Sequence, residues 1–307
     1  MLSLAVQALP KTIQSEKDKS NIHLTRVRLY DTFTEQWLKR GKRKLQDRVL
    51  TSEEQTVFDS LCNAGFVEQG IIFQKKLAAA IFEHQKGNPV VEYFHFNINE
   101  SDSWKTEFFG PTLDVTLLRE SSLLTRTVNQ HSFIHRSILE YFYARSFSDP
   151  IGPGEDQPGN RSESVEFRNR LTEYPLNKKS VVEEPSILEF LVECVDSDPS
   201  FKTLLLDAVE SSKKDDRVIQ AATNAMSIIV KAGVPFHGAD LSGINIPGAL
   251  LQGGLSDSAD LRGADLTGVN LSKEWLRKAN LSGAHIEEVE FEELPYLQMD
   301  CRILTEF

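Results

Sequence analysis

The sequence predicts an α+β, multidomain chain: a helical N-terminal part with one hairpin, an α-helical linker domain, and a short C-terminal coil of five-residue sides. Three observations carry this. Apolar residues recur at helical spacing through much of the first 235 residues; a strand–turn–strand pattern interrupts them around Val128-Asn129-Gln130; and from Phe236 onward the apolar period changes to five. A length of 307 residues suits two or three domains, and an apolar fraction of 40% supplies a core for each.

Residues 1–21 read as an N-terminal extension. A helix then runs from Ile22 to Lys44, with Leu29, Phe33, Trp37 and Leu45 in one apolar stripe. Thr51-Ser52-Glu53-Glu54 is a capping box that starts a helix carrying Val57, Phe58 and Leu61, and Gly65 suits its end. The next helix covers Ile71 to Gln85 and stops at Gly87-Asn88-Pro89. Val90 to Phe96 is rich in strand formers. Leu113 to Ser121 reads as a helix, Ser122 to Thr127 and His131 to His135 as the arms of a hairpin, and Arg136 to Phe147 as a helix. Helices followed by a hairpin and a further helix make the element order of a winged-helix module.

Residues 148–185 hold five prolines and three clustered glycines, without periodicity, which predicts a mobile connector with no core. The helical region 186–235 has helices over Ser186–Val195, Ser200–Ser211 and Asp216–Ala232, the last closed by Gly233. In that last helix Val218, Ala222, Ala225, Met226 and Ile229 form a stripe suited to capping the coil that follows.

The coil spans residues 236–291. Its recurring positions are Phe236, Leu241, Ile246, Leu251, Ser256, Leu261, Leu266, Leu271, Leu276, Leu281, Ile286 and Phe291; all but Ser256 are large and apolar. A small residue lies two places before most of them, and Asp or Asn often stands just before. A period of five fits neither 3.6 nor 2.0, so neither a helix nor a flat strand puts this stripe on one face. A chain that turns a corner every five residues does. Four sides close a square coil of twenty residues, and coils stack at roughly 4.8 Å, the spacing of β-strands. Each inward side chain then stabilises by about 1.5–3 kcal/mol if fully buried. Ser256 and Glu274 break the pattern, which predicts either a bulge near Ser256 or a register in which Leu255 substitutes. Residues 292–307 form a C-terminal tail.

Charge and motifs exclude several functions. The first fifty residues balance at +6 and the remainder at −17, so the body is acidic and lacks the basic face that nucleic-acid binding requires. Lys39 to Lys44 is the basic exception; it reads as a solvated helix end, with a nuclear signal or phosphate patch as the alternative, and a winged helix that binds nucleic acid through Arg26 to Arg48 is a further reading. Cys62, Cys194 and Cys301 give no disulfide framework, and no apolar run reaches membrane-spanning length, so the chain reads as soluble and cytoplasmic. No nucleotide-cradling G-x-x-x-x-G-K-[ST], no G-x-S-x-G and no H-E-x-x-H occurs, and His23, His84, His95, His131, His237 and His285 show no metal spacing. The paired acids Glu183-Glu184, Glu287-Glu288 and Glu292-Glu293 read as solvated faces. The expectation is a non-catalytic protein with no cofactor and no metal, whose partners are other proteins.

Two resemblances sharpen this. Ala259-Asp260-Leu261-Arg262-Gly263 and Ala264-Asp265-Leu266-Thr267-Gly268 resemble the pentapeptide-repeat family. That implies a right-handed quadrilateral β-helix that offers a binding surface, shorter than the family's long DNA-mimicking members. Phe133-Ile134-His135-Arg136-Ser137-Ile138-Leu139-Glu140-Tyr141-Phe142-Tyr143-Ala144 resembles a signature of NACHT-type (STAND) signalling ATPases, as do Leu29 to Leu38, Phe73 to Ile81 and Leu117 to Glu120. This implies a NACHT-associated helical and winged-helix region over 22–147, similar to fungal proteins in which pentapeptide repeats precede a WD-repeat propeller. The resemblance also implies that His135 contacts an ADP phosphate. A structural role at the strand end is the other reading, because the P-loop is missing from this sequence. The P-loop domain and the propeller would then be partners within a longer gene product, or flanks that were lost.

Overall fold

The computed structural model describes residues 25–94, 103–149, 151, 161–274 and 276–291. The expected extension 1–21, the tail 292–307, Ile22, His23, His95, Phe96 and Cys301 lie outside these. So do Glu292-Glu293 and most of the Pro/Gly stretch of the connector. The chain divides into two compact units, Met1–Ser146 and Phe147–Phe307.

The first unit is mostly helical with a small sheet. Helix α1, Arg26–Gln46, starts later than expected because the Thr25 side chain accepts from the Arg28 N–H at 3.3 Å and caps it. Its buried face is Val27, Tyr30, Phe33, Thr34, Leu38 and Leu45. The stripe is therefore turned from the expected one. Leu29 and Trp37 are only half-buried, and Trp37 Nε1–H donates to the Ser122 carbonyl at 3.1 Å. Helix α2, Ser52–Asn63, carries both halves of its capping box: the Glu54 N–H donates to Thr51 Oγ1 at 3.2 Å and the Thr51 N–H to Glu54 Oε2 at 2.8 Å. Helix α3, Phe66–Gln85, begins before the expected Ile71 because Gly65, at φ 88°, turns the chain directly from α2 into α3. Gly70 admits α1: a Cβ there would lie 2.7 Å from the Leu38 side chain.

Strand β1 is Val90–Glu92, shorter than expected. Helix α4, Ser103–Phe109, has no counterpart in the sequence reading; at seven residues it is too short to show a period, but Phe108 and Phe109 are buried. Helix α5, Leu113–Ser121, matches its expected bounds. Strands β2, Leu124–Thr127, and β3, Gln130–Phe133, flank a two-residue turn, so Gln130 belongs to the strand and Ile134 and His135 do not. The antiparallel sheet has the order β1-β3-β2. Helix α6, Arg136–Ser146, is buried along nearly its whole length, and Tyr143 stacks on Phe82 with ring centroids 4.0 Å apart. The buried Gln74 amide accepts from the Leu123 N–H at 2.8 Å and donates to the Gly70 carbonyl at 3.0 Å, tying the hairpin to α3.

The second unit overturns the expected coreless connector over residues 161–185. Helices α7, Val165–Glu173, and α8, Pro175–Lys178, lie in it, and Phe167, Leu171, Leu176 and Val181 are buried. Order here comes from side chains distant in sequence, which a local window does not reveal. Buried Asn224 accepts from the Val181 N–H at 3.0 Å and donates to the carbonyls of Leu176 at 2.8 Å and Lys179 at 2.7 Å. Asn177 accepts from the Ala221 N–H at 2.9 Å. The three helices expected next are α9, Pro185–Ser197; α10, Pro199–Ser211; and α11, Ile219–Lys231, the last preceded by a 3-10 turn, Asp216–Val218. Val218, Ala222, Ala225, Met226 and Ile229 are all buried.

Candidate functional site

Each five-residue side of the C-terminal segment is shaped by local chemistry. The Asp or Asn before the inward residue accepts from the N–H two places on: Asp240 from Ser242 at 3.0 Å, Asp265 from Thr267 at 3.0 Å, Asn270 from Ser272 at 3.0 Å, Asn280 from Ser282 at 3.1 Å. This turns the corner and explains why short side chains with an acceptor oxygen fill that slot. The following residue has positive φ, between 65° and 73° at Gly238, Gly243, Gly248, Gly253, Gly263, Gly268 and Gly283. Ser258, Lys273, Lys278 and Glu288 hold the same conformation with a side chain.

Sides stack twenty residues apart. Parallel bridges join Asp240 to Asp260, Asn245 to Asp265, Leu250 to Asn270, and each of the latter two rows to a third member, His285 and Glu290; Asp260 continues to Asn280. The Leu241 N–H donates to the Asp260 carbonyl at 2.8 Å and the Asp260 N–H to the Ala239 carbonyl at 2.9 Å, and the pattern repeats along the ladder. Through Ser256 the register is unbroken: Phe236 N–H reaches the Leu255 carbonyl at 2.8 Å and Ser258 N–H the Arg277 carbonyl at 2.7 Å. Neither the expected bulge nor the Leu255 register occurs. Ser256 itself occupies the inward slot, 4% exposed, with Leu255 half-buried.

The segment 257–283 matches the family model of pentapeptide repeats. No curated protein matches the chain. The ladder runs in the same register on both sides of the matched stretch, from Phe236 to Glu290.

Within the coil, Phe236, Leu241, Ile246, Leu251, Leu261, Leu266 and Leu271 are buried. Leu276 and Leu281 are half-buried, and Ile286 and Phe291 are 44% and 55% exposed, which corrects the expected spine of eleven buried side chains. In a stacked coil an inward side chain is covered by its neighbours above and below, and these four belong to the last coil described.

The opposite edge is closed by helices. In the second coil the N–H groups of Asp265 and Asn270 donate to carbonyls of the first; the corresponding groups of the first coil have no coil before them. Asn245 N–H donates instead to Ser212 Oγ at 3.0 Å and Leu250 N–H to Ser227 Oγ at 2.9 Å. Thr223 Oγ1 donates to the Pro247 carbonyl at 3.2 Å and Lys213 Nζ to that of Asp240 at 3.2 Å. Side chains thus stand in for the missing coil and satisfy an otherwise bare strand edge. Sequence reading missed all four; the signal was a Thr and a Ser four apart on the apolar face of α11.

The outward surface is polar. Arg277 reaches Asp257 across coils, Nε to Oδ2 at 3.0 Å, and Asn270 donates to Glu290 at 2.7 Å. Hydrogen bonds from Arg277, Arg262 and Ser242 hold the carboxyls of Asp257, Asp260 and Asp240 below the usual carboxylate range. Among the described residues no three His, Cys, Asp or Glu side chains converge on a metal position, and no helix is long and apolar enough to cross a membrane.

His135 lies in the other unit. Its Nδ1 accepts from the Ser137 N–H at 3.1 Å and lies 2.7 Å from Ser137 Oγ, which accepts from Tyr30 O–H at 2.8 Å. The imidazole thereby satisfies a free N–H at the start of α6, and its neutral form carries the proton on Nε2.

Proposed function

We propose that this chain is a non-catalytic protein–protein interaction module, in which a right-handed quadrilateral β-helix displays a polar face to a protein partner in the cytoplasm. Pentapeptide repeats are typically protein-interaction modules. The observation that carries the reading here is the division of labour in each side: inward residues are consumed by packing, and outward ones form charged and amide rungs repeating every twenty residues. Such a surface is rigid, so binding loses little conformational entropy.

For the first unit, the proposal is derivation from a NACHT-type signalling ATPase, resting on the Phe133-to-Ala144 resemblance. Strand β1 between α3 and α4, then α5 and the β2–β3 hairpin, in sheet order β1-β3-β2, fits the winged-helix topology that the Phe133-to-Ala144 signature implies. A P-loop domain and a WD-repeat propeller are the partners this derivation calls for.

Proximity labelling in cells tests the main reading. The Arg262→Gln/Arg277→Gln variant should lose a discrete set of labelled proteins while keeping the parent's β-signal. Identical labelling by both chains removes the coil as the docking face, and ATP hydrolysis by the purified chain removes the non-catalytic assignment.

A second reading takes His135 as a nucleotide sensor serving a P-loop domain supplied elsewhere, favoured by an exposed imidazole whose Nδ1 is already occupied and whose Nε2–H is a donor. ADP should then raise the melting temperature of the reconstituted pair, and His135→Ala should abolish the rise; an unchanged rise rejects the role.

A further inference from the structure

One side of the coil departs from the apolar rule twice. Its inward column is Phe236, Ser256 and Leu276, and the small-residue column beside it holds Gly254 and Glu274. Ser256 is 4% and Glu274 6% exposed, so both polar side chains are inside. Ser256 Oγ donates to Glu274 Oε1 at 2.6 Å. Glu274 Oε2 is buried and accepts from no side chain, and a Cβ added to Gly254 would collide with that carboxylate. The missing side chain at 254 and the short one at 256 leave space, and Glu274, standing where the repeat calls for a small residue, fills it.

We propose that Gly254, Ser256 and Glu274 form one interlocking polar plug inside the coil, and that loss of the Glu274 proton loosens this side, making the coil's hold on its own surface pH-responsive. A neutral carboxyl suits the site; an ionised one is a charge held away from water. Burial pushes the Glu274 carboxyl up from 4.5 to about 7, against the opposing hydrogen bonds of Ser256 and the Gly254 backbone, and the charge of Asp257 acts in the same direction as burial. Asp257 is itself paired with Arg277 and influenced by His237, and Lys273 and Arg277 are the cations on Glu274's own stretch. A carboxyl raised in the folded state contributes stability below its unfolded value, near 4.5, and that contribution is lost as pH climbs through about 7.

Backbone hydrogen exchange of the full chain, corrected for the intrinsic pH dependence of exchange, tests this. In the parent, protection of peptides within 250–282 should fall by roughly tenfold or more between pH 5 and pH 8. Glu274→Gln keeps the shape and has no proton to lose, so its protection should stay level. His237→Gln should retain the parent's fall. The double variant Ser256→Leu/Glu274→Ala rebuilds an apolar side and should be level in pH and at least as protected as the parent at pH 8. A parent without the fall, or a Glu274→Gln chain that keeps it, overturns the proposal. If Glu274→Gln does not fold, the double variant decides in the same way, a retained fall overturning the plug.

Discussion

His131 illustrates how burial sets the chemistry of a single residue. Its ring lies against Phe109, centroids 4.5 Å apart, and the side chain is 7% exposed. Burial, then the charges of Arg119 and Arg126, push the imidazole down to about 4. The unfolded chain takes up this proton near 6.5, so the stabilising contribution of neutral His131 is present above that value and lost as pH falls toward 4. The first unit should lose up to about 3 kcal/mol by this route, and His131→Gln should flatten the acid limb of its denaturation profile. The coil's corners give a second residue-scale prediction. Lys278 holds φ 60°, where a side chain is strained, and Lys278→Gly should stabilise the coil by about 1 kcal/mol. Gly263→Ala, at φ 65°, should cost a similar amount in urea denaturation.

The coil's stability, considered as an element, depends on its spine and on its covered edge. Leu266 is fully buried, and Leu266→Ala should cost about 2–5 kcal/mol in the coil. Leu266→Asp should unfold residues 236–291, read as loss of β-signal, while the first unit melts as before; full retention of signal would mean the register is wrong. At the edge, Ser227→Ala removes the acceptor of the Leu250 N–H, which should cost about 1–3 kcal/mol. Ser227→Thr keeps a hydroxyl and should recover part of it. Helices α7 and α8 rest on the same kind of long-range satisfaction through Asn177 and Asn224, which is why proline count misread them as a connector.

For the whole molecule, the edge contacts predict how the chain can be divided. A fragment of residues 236–291 exposes the first coil's N–H and carbonyl groups and should aggregate, whereas residues 161–291 keep Ser212, Lys213, Thr223 and Ser227 and should elute as a discrete species in size-exclusion chromatography. The order of residues alone dictated the five-residue period, the inward column, the glycine corners and the capping box at Thr51, because each is a local rule linking one residue type to one backbone state. The twenty-residue register follows from that period by geometry. Long-range contact settled the rest: the burial of residues 165–181, the hydroxyls that close the coil's edge, and the meeting of Ser256 with Glu274. Those features depend on which distant side chains come within hydrogen-bonding reach, and no window along the chain contains both partners.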